Sequence, residues 1–291
     1  RTIKLRGQVS QGLVLPLSIL PNGTPAILGA DVTDALGIKK YDPEAQQEAQ
    51  LLTKQPQKPQ SAIARFLMRF KWYRKLFMKP KRKGGFPDWI AKTDETRLQN
   101  LTTLFEMERN KGTKFSVTEK VDGQSATYYL RKVSKRKYEF GVCSRNIYLG
   151  TPDNSSYWTI AKKYNIENVL RQLIGDYETI VLQGEICGNQ IQGNKYHISG
   201  YDLFAFNLIY PDHKCGTAEI KKLLEPYGIK TVPIVEEDKT LPGTIAELVE
   251  YSKGKSVVRK EQKREGVVMR NVQSNISFKV INPDFLLAEK D

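Results

Sequence analysis

Strand-like runs recur along the second half of the chain, each apolar throughout or at alternate positions: KFSVTEKVDG from Lys114, YEFGVCSRN from Tyr138, ETIVLQGEICG from Glu178, DLFAFNLIY from Asp202, EGVVMRN from Glu265 and ISFKVIN from Ile276. Between them lie stretches of helical period. KTDETRLQNLTTLFEMERN places Leu98, Leu101 and Phe105 on one face, and Thr93, Asp94 and Glu95 suit its N-terminus. SSYWTIAKKYNIENVLRQL holds Tyr157, Ile160, Ala161 and Tyr164 in register, and TIAELVEYSKG carries a capping box, Thr244 with Glu247, and closes at Gly254. At the start, KLRGQVSQGLVLPL alternates around Gly7 and Gly12 and predicts two or three short antiparallel strands. Helices interspersed irregularly among strands, without strict βαβ alternation, predict an α+β fold built on antiparallel sheets.

The 291 residues, 40% hydrophobic, support one large domain or two smaller ones. KKYDPEAQQEAQLLTKQPQKPQ is too polar to bury much surface and reads as a linker. The following SAIARFLMRFKWYRKLFMKPKRKGG spaces Ile63, Phe66, Leu67, Phe70, Tyr73 and Phe77 as one helical face, with Arg65, Arg69, Lys71, Arg74 and Lys75 between them. Such a helix can lie on phosphates, on an anionic membrane or on a partner, or can pack its aromatic face on the core. No run approaches the ~18 apolar residues of a membrane span, and RTIKLRGQ lacks the apolar core of a signal peptide, so a cytoplasmic protein without a membrane partner is expected. The chain begins at Arg1 rather than methionine, from which a trimmed N-terminus is expected. Cys143, Cys187 and Cys215, odd in number and widely spaced, predict reduced, half-buried thiols rather than disulfides or a zinc site. A net charge of +14 and a pI near 9.5 favour a polyanionic partner, nucleic acid first.

The charged residues inside the strands narrow the chemistry. Lys120 alone suits a sheet edge, and Glu185 or Glu265 alone suits a solvated surface. Yet Glu185, Glu265 and Lys279 each sit in an apolar run, where a charge needs a partner, a metal or a ligand to offset its desolvation. Together the pieces resemble the ordered motifs of the covalent nucleotidyltransferases, the superfamily of ATP-dependent DNA and RNA ligases and mRNA capping enzymes. Lys120-Val121-Asp122-Gly123 is similar to the KxDG nucleophile motif, and the segments around Arg145, Glu185, Phe206, Glu265 and Lys279 follow in the superfamily's order over residues 115 to 282.

The sequence stops 12 residues after Lys279, too few for the C-terminal OB domain of DNA ligases and capping enzymes. Its β-rich start and GFPDWIAKTDETRLQN resemble instead the fifth RNA ligase family, whose OB module precedes the catalytic domain. The organisation implied is a partial OB-like β module over 1–42, a linker with the basic helix over 43–84, and an adenylyltransferase domain of antiparallel sheets with flanking helices over 85–291.

The resemblance implies an ATP-dependent RNA ligase that joins 3′-OH and 5′-phosphate ends, in RNA repair, as a monomer. Lys120 would attack the α-phosphorus of ATP to form lysyl-AMP. Asp122 and Glu265 would hold Mg2+ or Mn2+ through water, and Lys279 would contact the α-phosphate. Glu119 would read the adenine edge, Arg145 would contact the ribose or 5′-phosphate end, Glu185 a ribose hydroxyl, and Phe206 would stack on adenine, with core packing its alternative and Phe204 able to fill either place. Gly123 would let the backbone approach the nucleotide. Arg65, Arg69, Arg74, Lys75 and Arg97 are candidates for RNA phosphates; for Arg97 a helix-surface salt bridge is the alternative. The substrate could be a nicked duplex or an RNA–DNA hybrid. In one departure from the family's KxK pattern, Ser277 and Ile281 flank Lys279 where a second lysine is expected. Other readings are a DNA ligase, a GTP-using guanylyltransferase, or a nucleic-acid-binding protein with a decayed pocket.

Overall fold

The computed structural model describes residues 3–5, 8–10, 16–21, 23, 30–33, 35–37, 84–134 and 137–288. Contacts divide the chain into two units, residues 1–54 with Asp291 and residues 55–290. In the first unit β1 (Ile3–Leu5) pairs antiparallel with β2 (Gln8–Ser10), Ile3 opposite Ser10. The linker-like stretch and the basic segment with Arg65, Arg69, Arg74 and Lys75 lie outside the described residues.

The second unit holds two sheets. One is β3 (Phe115–Glu119), β9 (Ile234–Lys239), β10 (Gly266–Asn271) and β11 (Ile276–Ile281), antiparallel throughout in the order β11-β10-β3-β9. The other is β4 (Gln124–Ser134), β5 (Lys137–Cys143), β6 (Thr179–Gly188), β7 (Tyr201–Ile209) and β8 (Lys230–Thr231), in the order β5-β4-β6-β7-β8. Its β7–β8 pair is parallel, so the sheet is mixed where wholly antiparallel sheets were expected. The connection from β7 to β8 passes through a helix, as a parallel pair requires.

Alternation along the strands assigns one face of each sheet to a core. Tyr128 and Leu130 of β4 and Ile180, Leu182 and Ile186 of β6 pack with Ile160 and Leu170 from α2 (Ser156–Lys163) and α3 (Ile166–Leu173) and with Ile220 of α4 (Thr217–Leu224). Phe115, Val117, Met269 and Phe278 pack with Phe105 of α1 (Thr102–Lys111) and Leu248 of α5 (Ile245–Ser252). The opposite faces carry the polar residues of the motifs, and Val121, Cys187, Tyr196, Phe204 and Val232 form a smaller apolar cluster among them.

Three local expectations are corrected. Thr93, Asp94 and Glu95 do not begin a helix: α1 starts at Thr102, because Asp94 and Glu95 are engaged by distant arginines and the Thr96 carbonyl accepts from Lys279 N–H. The long second helix breaks in two at Asn165, which takes a left-handed φ of 47°. The cysteines are fully rather than half buried, and burial pushes the thiols of Cys143 and Cys215 up to about 12. At α5 the capping box is shifted by one residue: the Thr244 hydroxyl accepts from Glu247 N–H, while the Glu247 carboxylate accepts from Gly243 N–H rather than from Thr244.

Candidate active site

Lys120 follows the last residue of β3, and Glu265 precedes the first of β10, so the antiparallel pairing of the two strands sets them side by side. Lys120 N–H donates to the Gly266 carbonyl, and Lys120 Nζ lies 2.6 Å from Glu265 Oε2. The pair is mostly enclosed, the side chains 25% and 14% exposed. Gly266 makes this junction feasible: its φ is +153°, and a Cβ there would lie 2.2 Å from the Val280 carbonyl oxygen.

Burial alone would push the Lys120 ammonium down, but the carboxylates of Glu265, Glu185 and Asp122 outweigh it and hold the group above its ordinary value. Burial likewise raises Glu265, against the pull of Lys120. Lys279, on β11 beside β10, moves the other way: burial and the charges of Lys120 and Arg97 lower it, with Glu265 and Asp94 opposing. Arg97 makes a backbone bridge with Lys279 and caps a single 3-10 turn, Leu98–Asn100, rather than the long helix expected there, and Arg145 donates to Asp94 at 2.6 Å. Lys120, Asp122, Glu185, Glu265, Lys279, Arg97 and Arg145 therefore converge on one region between the two sheets.

Asp122 is gripped from two sides. Its backbone N–H donates to the Tyr196 hydroxyl at 2.8 Å, and Lys195 Nζ lies 2.5 Å from Oδ2. Gly123 next to it has a close protein neighbour. A Cβ there would fall 2.4 Å from the Ile186 carbonyl oxygen and 2.9 Å from Glu185 Cγ, so glycine is needed for the β4–β6 approach that carries Glu185 beside Lys120.

Glu119, at the end of β3, is 1% exposed. One carboxylate oxygen accepts from Val257 N–H at 2.7 Å; the other, Oε1, is buried with no hydrogen-bond partner. Burial raises its pKa against the hydrogen bonds of Ser256 and Val257 and the charge of Arg264. Arg264 is fixed by carbonyls at the C-terminus of α5, from Tyr251, Ser252 and Lys253. Next to Glu119 a cavity of about 530 Å³ opens, lined among others by Phe204, Lys230, Val232, Pro233 and Val257. Of the two phenylalanines on β7, Phe204 is 5% exposed, whereas Phe206 is only partly buried, with the Arg270 guanidinium 5.4 Å from its centroid. Arg270 itself is tied to Thr118 and Glu95, and Glu95 also accepts from Ser277. Ser277, one of the two positions where a second lysine was expected, thus belongs to this supporting network.

The carboxylates of Asp122, Glu185 and Glu265 all act on the Lys120 ammonium, and those of Asp122 and Glu265 offer oxygen ligands of the kind that suits Mg2+ or Mn2+. A different grouping, His213, Cys215 and Glu219, has ligand atoms within 4.8 Å of one another. Two of these already have other bonds: His213 pairs with Asp212, and Glu219 caps α4 through Gly216 N–H. Lys195, Tyr196, Arg264 and Arg270 were not singled out from the sequence, and Glu95 only as part of a helix start. Only a cluster of turn residues, QIQGNKYHISG, marked Lys195 and Tyr196. No helix of the described residues is long and apolar enough to cross a membrane.

The family model described as RNA ligase matches residues 113–281. Solved structures similar to the chain include Naegleria gruberi RNA ligase with PPi, at 33% identity and a TM-score of 0.73. They also include point mutants of that ligase with ATP and Mn, at 32% and 0.74, and with AMP and Mn, at 32% and 0.73. Each match covers 100% of this chain and 76% of the other. No curated protein matches the chain.

Proposed function

Since this chain belongs to the RNA ligase family, we propose that it works as an ATP-dependent RNA ligase whose Lys120 becomes transiently joined to AMP. The observation that carries this reading is the Lys120–Glu265 pair at 2.6 Å, with Asp122 and Glu185 close enough to act on the same ammonium.

The amine attacks the α-phosphorus of ATP, the P–N bond forms, and pyrophosphate departs with the electrons of the broken P–O bond. Only the unprotonated amine has a lone pair to give, so the proton that the carboxylates hold on Lys120 must leave first. Glu265 Oε2 is in direct contact to receive it, and burial raises its affinity for a proton. Asp122 and Glu265 would hold a divalent cation, Mg2+ or Mn2+, through water, and its positive charge would weaken the grip of these carboxylates on the ammonium and screen the phosphate. Lys279, crowded by Lys120 and Arg97, gains a counter-ion when the α-phosphate arrives.

The unpartnered Oε1 of Glu119 suits an N–H donor such as the exocyclic amine of adenine. Phe206, partly exposed, has ring surface to offer for stacking, whereas Phe204 is nearly covered. Glu185 is assigned to a ribose hydroxyl and Arg145 to the ribose or 5′-phosphate end. AMP then passes to an RNA 5′-phosphate, and a 3′-OH displaces it to seal the strand, in RNA repair on nicked duplexes or hybrids, by a protein acting as a monomer in the cytoplasm. Residues 1–42 are read as part of an OB-like module, 43–84 as a linker and basic helix, and 85–291 as the adenylyltransferase domain. Arg65, Arg69, Arg74, Lys75 and Arg97 are assigned to RNA phosphates, consistent with the net charge of +14.

Matched nicks in all-RNA, all-DNA and mixed duplexes test the substrate. Sealing that requires RNA in at least one of the joined strands supports the proposal, and equal sealing of all-DNA nicks refutes it.

A further inference from the structure

The turn between β6 and β7 is conformationally costly, and two of its neighbouring side chains reach the same residue. Gln190, Gln192, Asn194 and His197 all take left-handed φ values, 63°, 45°, 48° and 53°, in a region that non-glycine residues rarely enter. The Asn194 side chain secures the turn by bonding both the N–H and the carbonyl of Ile198 at 3.0 Å, and Arg259 donates to the Lys195 carbonyl at 3.0 Å. What this turn presents is Lys195 on the Asp122 carboxylate and Tyr196 on the Asp122 backbone N–H.

The Lys195 ammonium is doubly placed. It lies 2.5 Å from Asp122 Oδ2 and 4.3 Å from the ring centroid of Phe285, on α6 (Pro283–Ala288), and its side chain is 19% exposed. Its field also reaches Glu265. The oxygen that Lys195 occupies belongs to the carboxylate set suited to a divalent cation, and two cations compete for one carboxylate.

We propose that Lys195 is a positioning residue, the built-in counter-ion of Asp122. It holds that carboxylate in place in the metal-free site and yields it when Mg2+ or Mn2+ binds. This inference rests on the reading of Asp122 as a metal-site residue given above. Exchange of an internal ammonium for the metal keeps the acidic cluster compact between turnovers and makes Lys195 an opponent of metal binding.

The test is a Mn2+ titration of the full chain without ATP, with free Mn2+ followed by electron paramagnetic resonance. Lys195→Met keeps the stem against Phe285 and removes the charge, and Mn2+ is expected to bind on the order of tenfold more tightly. Lys195→Gln, which retains a hydrogen-bond donor for Asp122, is expected to tighten binding similarly, and Lys195→Arg to keep the wild-type affinity. Unchanged or weaker Mn2+ binding in the Met and Gln variants, with thermal unfolding like that of wild type, overturns the proposal. Treatment of wild type with radiolabelled ATP checks the underlying reading separately. If no AMP adduct forms, the adenylyltransferase reading fails, while the competition at Asp122 stands or falls on the titration.

Discussion

Lys120 Nζ and Glu265 Oε2 stand 2.6 Å apart across the start of the β3–β10 ladder, an ion pair assembled from the ends of two neighbouring strands. The same contact that keeps Lys120 charged also offers the nearest acceptor for its proton. For Glu265→Ala, a loss of adenylylation rate on the order of 10²-fold or more is expected, by analogy with the removal of other electrostatic stabilisers. Single-turnover formation of the AMP adduct at saturating Mn2+ measures it, and a rate within a few-fold of wild type would count against the role.

The raised pKa of Lys120 sets a pH dependence. The ammonium is the inert form and is favoured in the folded protein, so adenylylation is expected to fall as pH drops, by up to about tenfold per unit while the step limits the rate. Glu265→Gln removes the foremost of the charges that hold the proton, and should move whatever activity remains to lower pH. A flat pH profile in adduct formation contradicts this.

Gly123→Ala tests the close approach of β4 to β6. A Cβ 2.4 Å from the Ile186 carbonyl oxygen cannot be absorbed by a side-chain rotation, because the obstructing atom is backbone. A loss of about 1–3 kcal/mol in stability is expected, as for other overpacked sites, together with slower adenylylation because Glu185 is displaced. Thermal unfolding and adduct formation read the two effects.

The strand motifs were legible because their chemistry is local. Glu185, Glu265 and Lys279 each stand out as a charge in an apolar run, Lys120 and Asp122 stand out through their likeness to the KxDG motif, and strand pairing needed only to gather them. Lys195 and Tyr196 were not legible in the same way, since they lie in an irregular turn whose composition announces a turn and nothing about its target. Glu95 and Arg270, which meet across 175 residues, misled the reading further. Thr93 followed by two acidic residues suits a helix N-terminus on local grounds, but the arginines of the fold claim Asp94 and Glu95 first. Close approach explains Gly123, and the β6 backbone is a neighbour that the sequence did not announce.

Asp202, on β7, separates stability from catalysis. Burial would raise its carboxyl, but hydrogen bonds from Lys230 and Tyr164 and the charge of Lys163 outweigh this and hold it below 3.8. The depressed folded value means that the stabilisation is present above the unfolded value and lost as pH falls through the folded one. Asp202→Asn is expected to cost about 1–3 kcal/mol near neutral pH, with the two proteins converging in strong acid. Denaturant melts across pH test the convergence.

The central claim is that Lys120 carries AMP. Protein treated with ATP and Mn2+, digested and sequenced by tandem mass spectrometry under conditions that preserve the phosphoramidate, is expected to show AMP on Lys120 Nζ, and Lys120→Ala to show none. AMP on another residue, or an adduct that survives the substitution, contradicts the account.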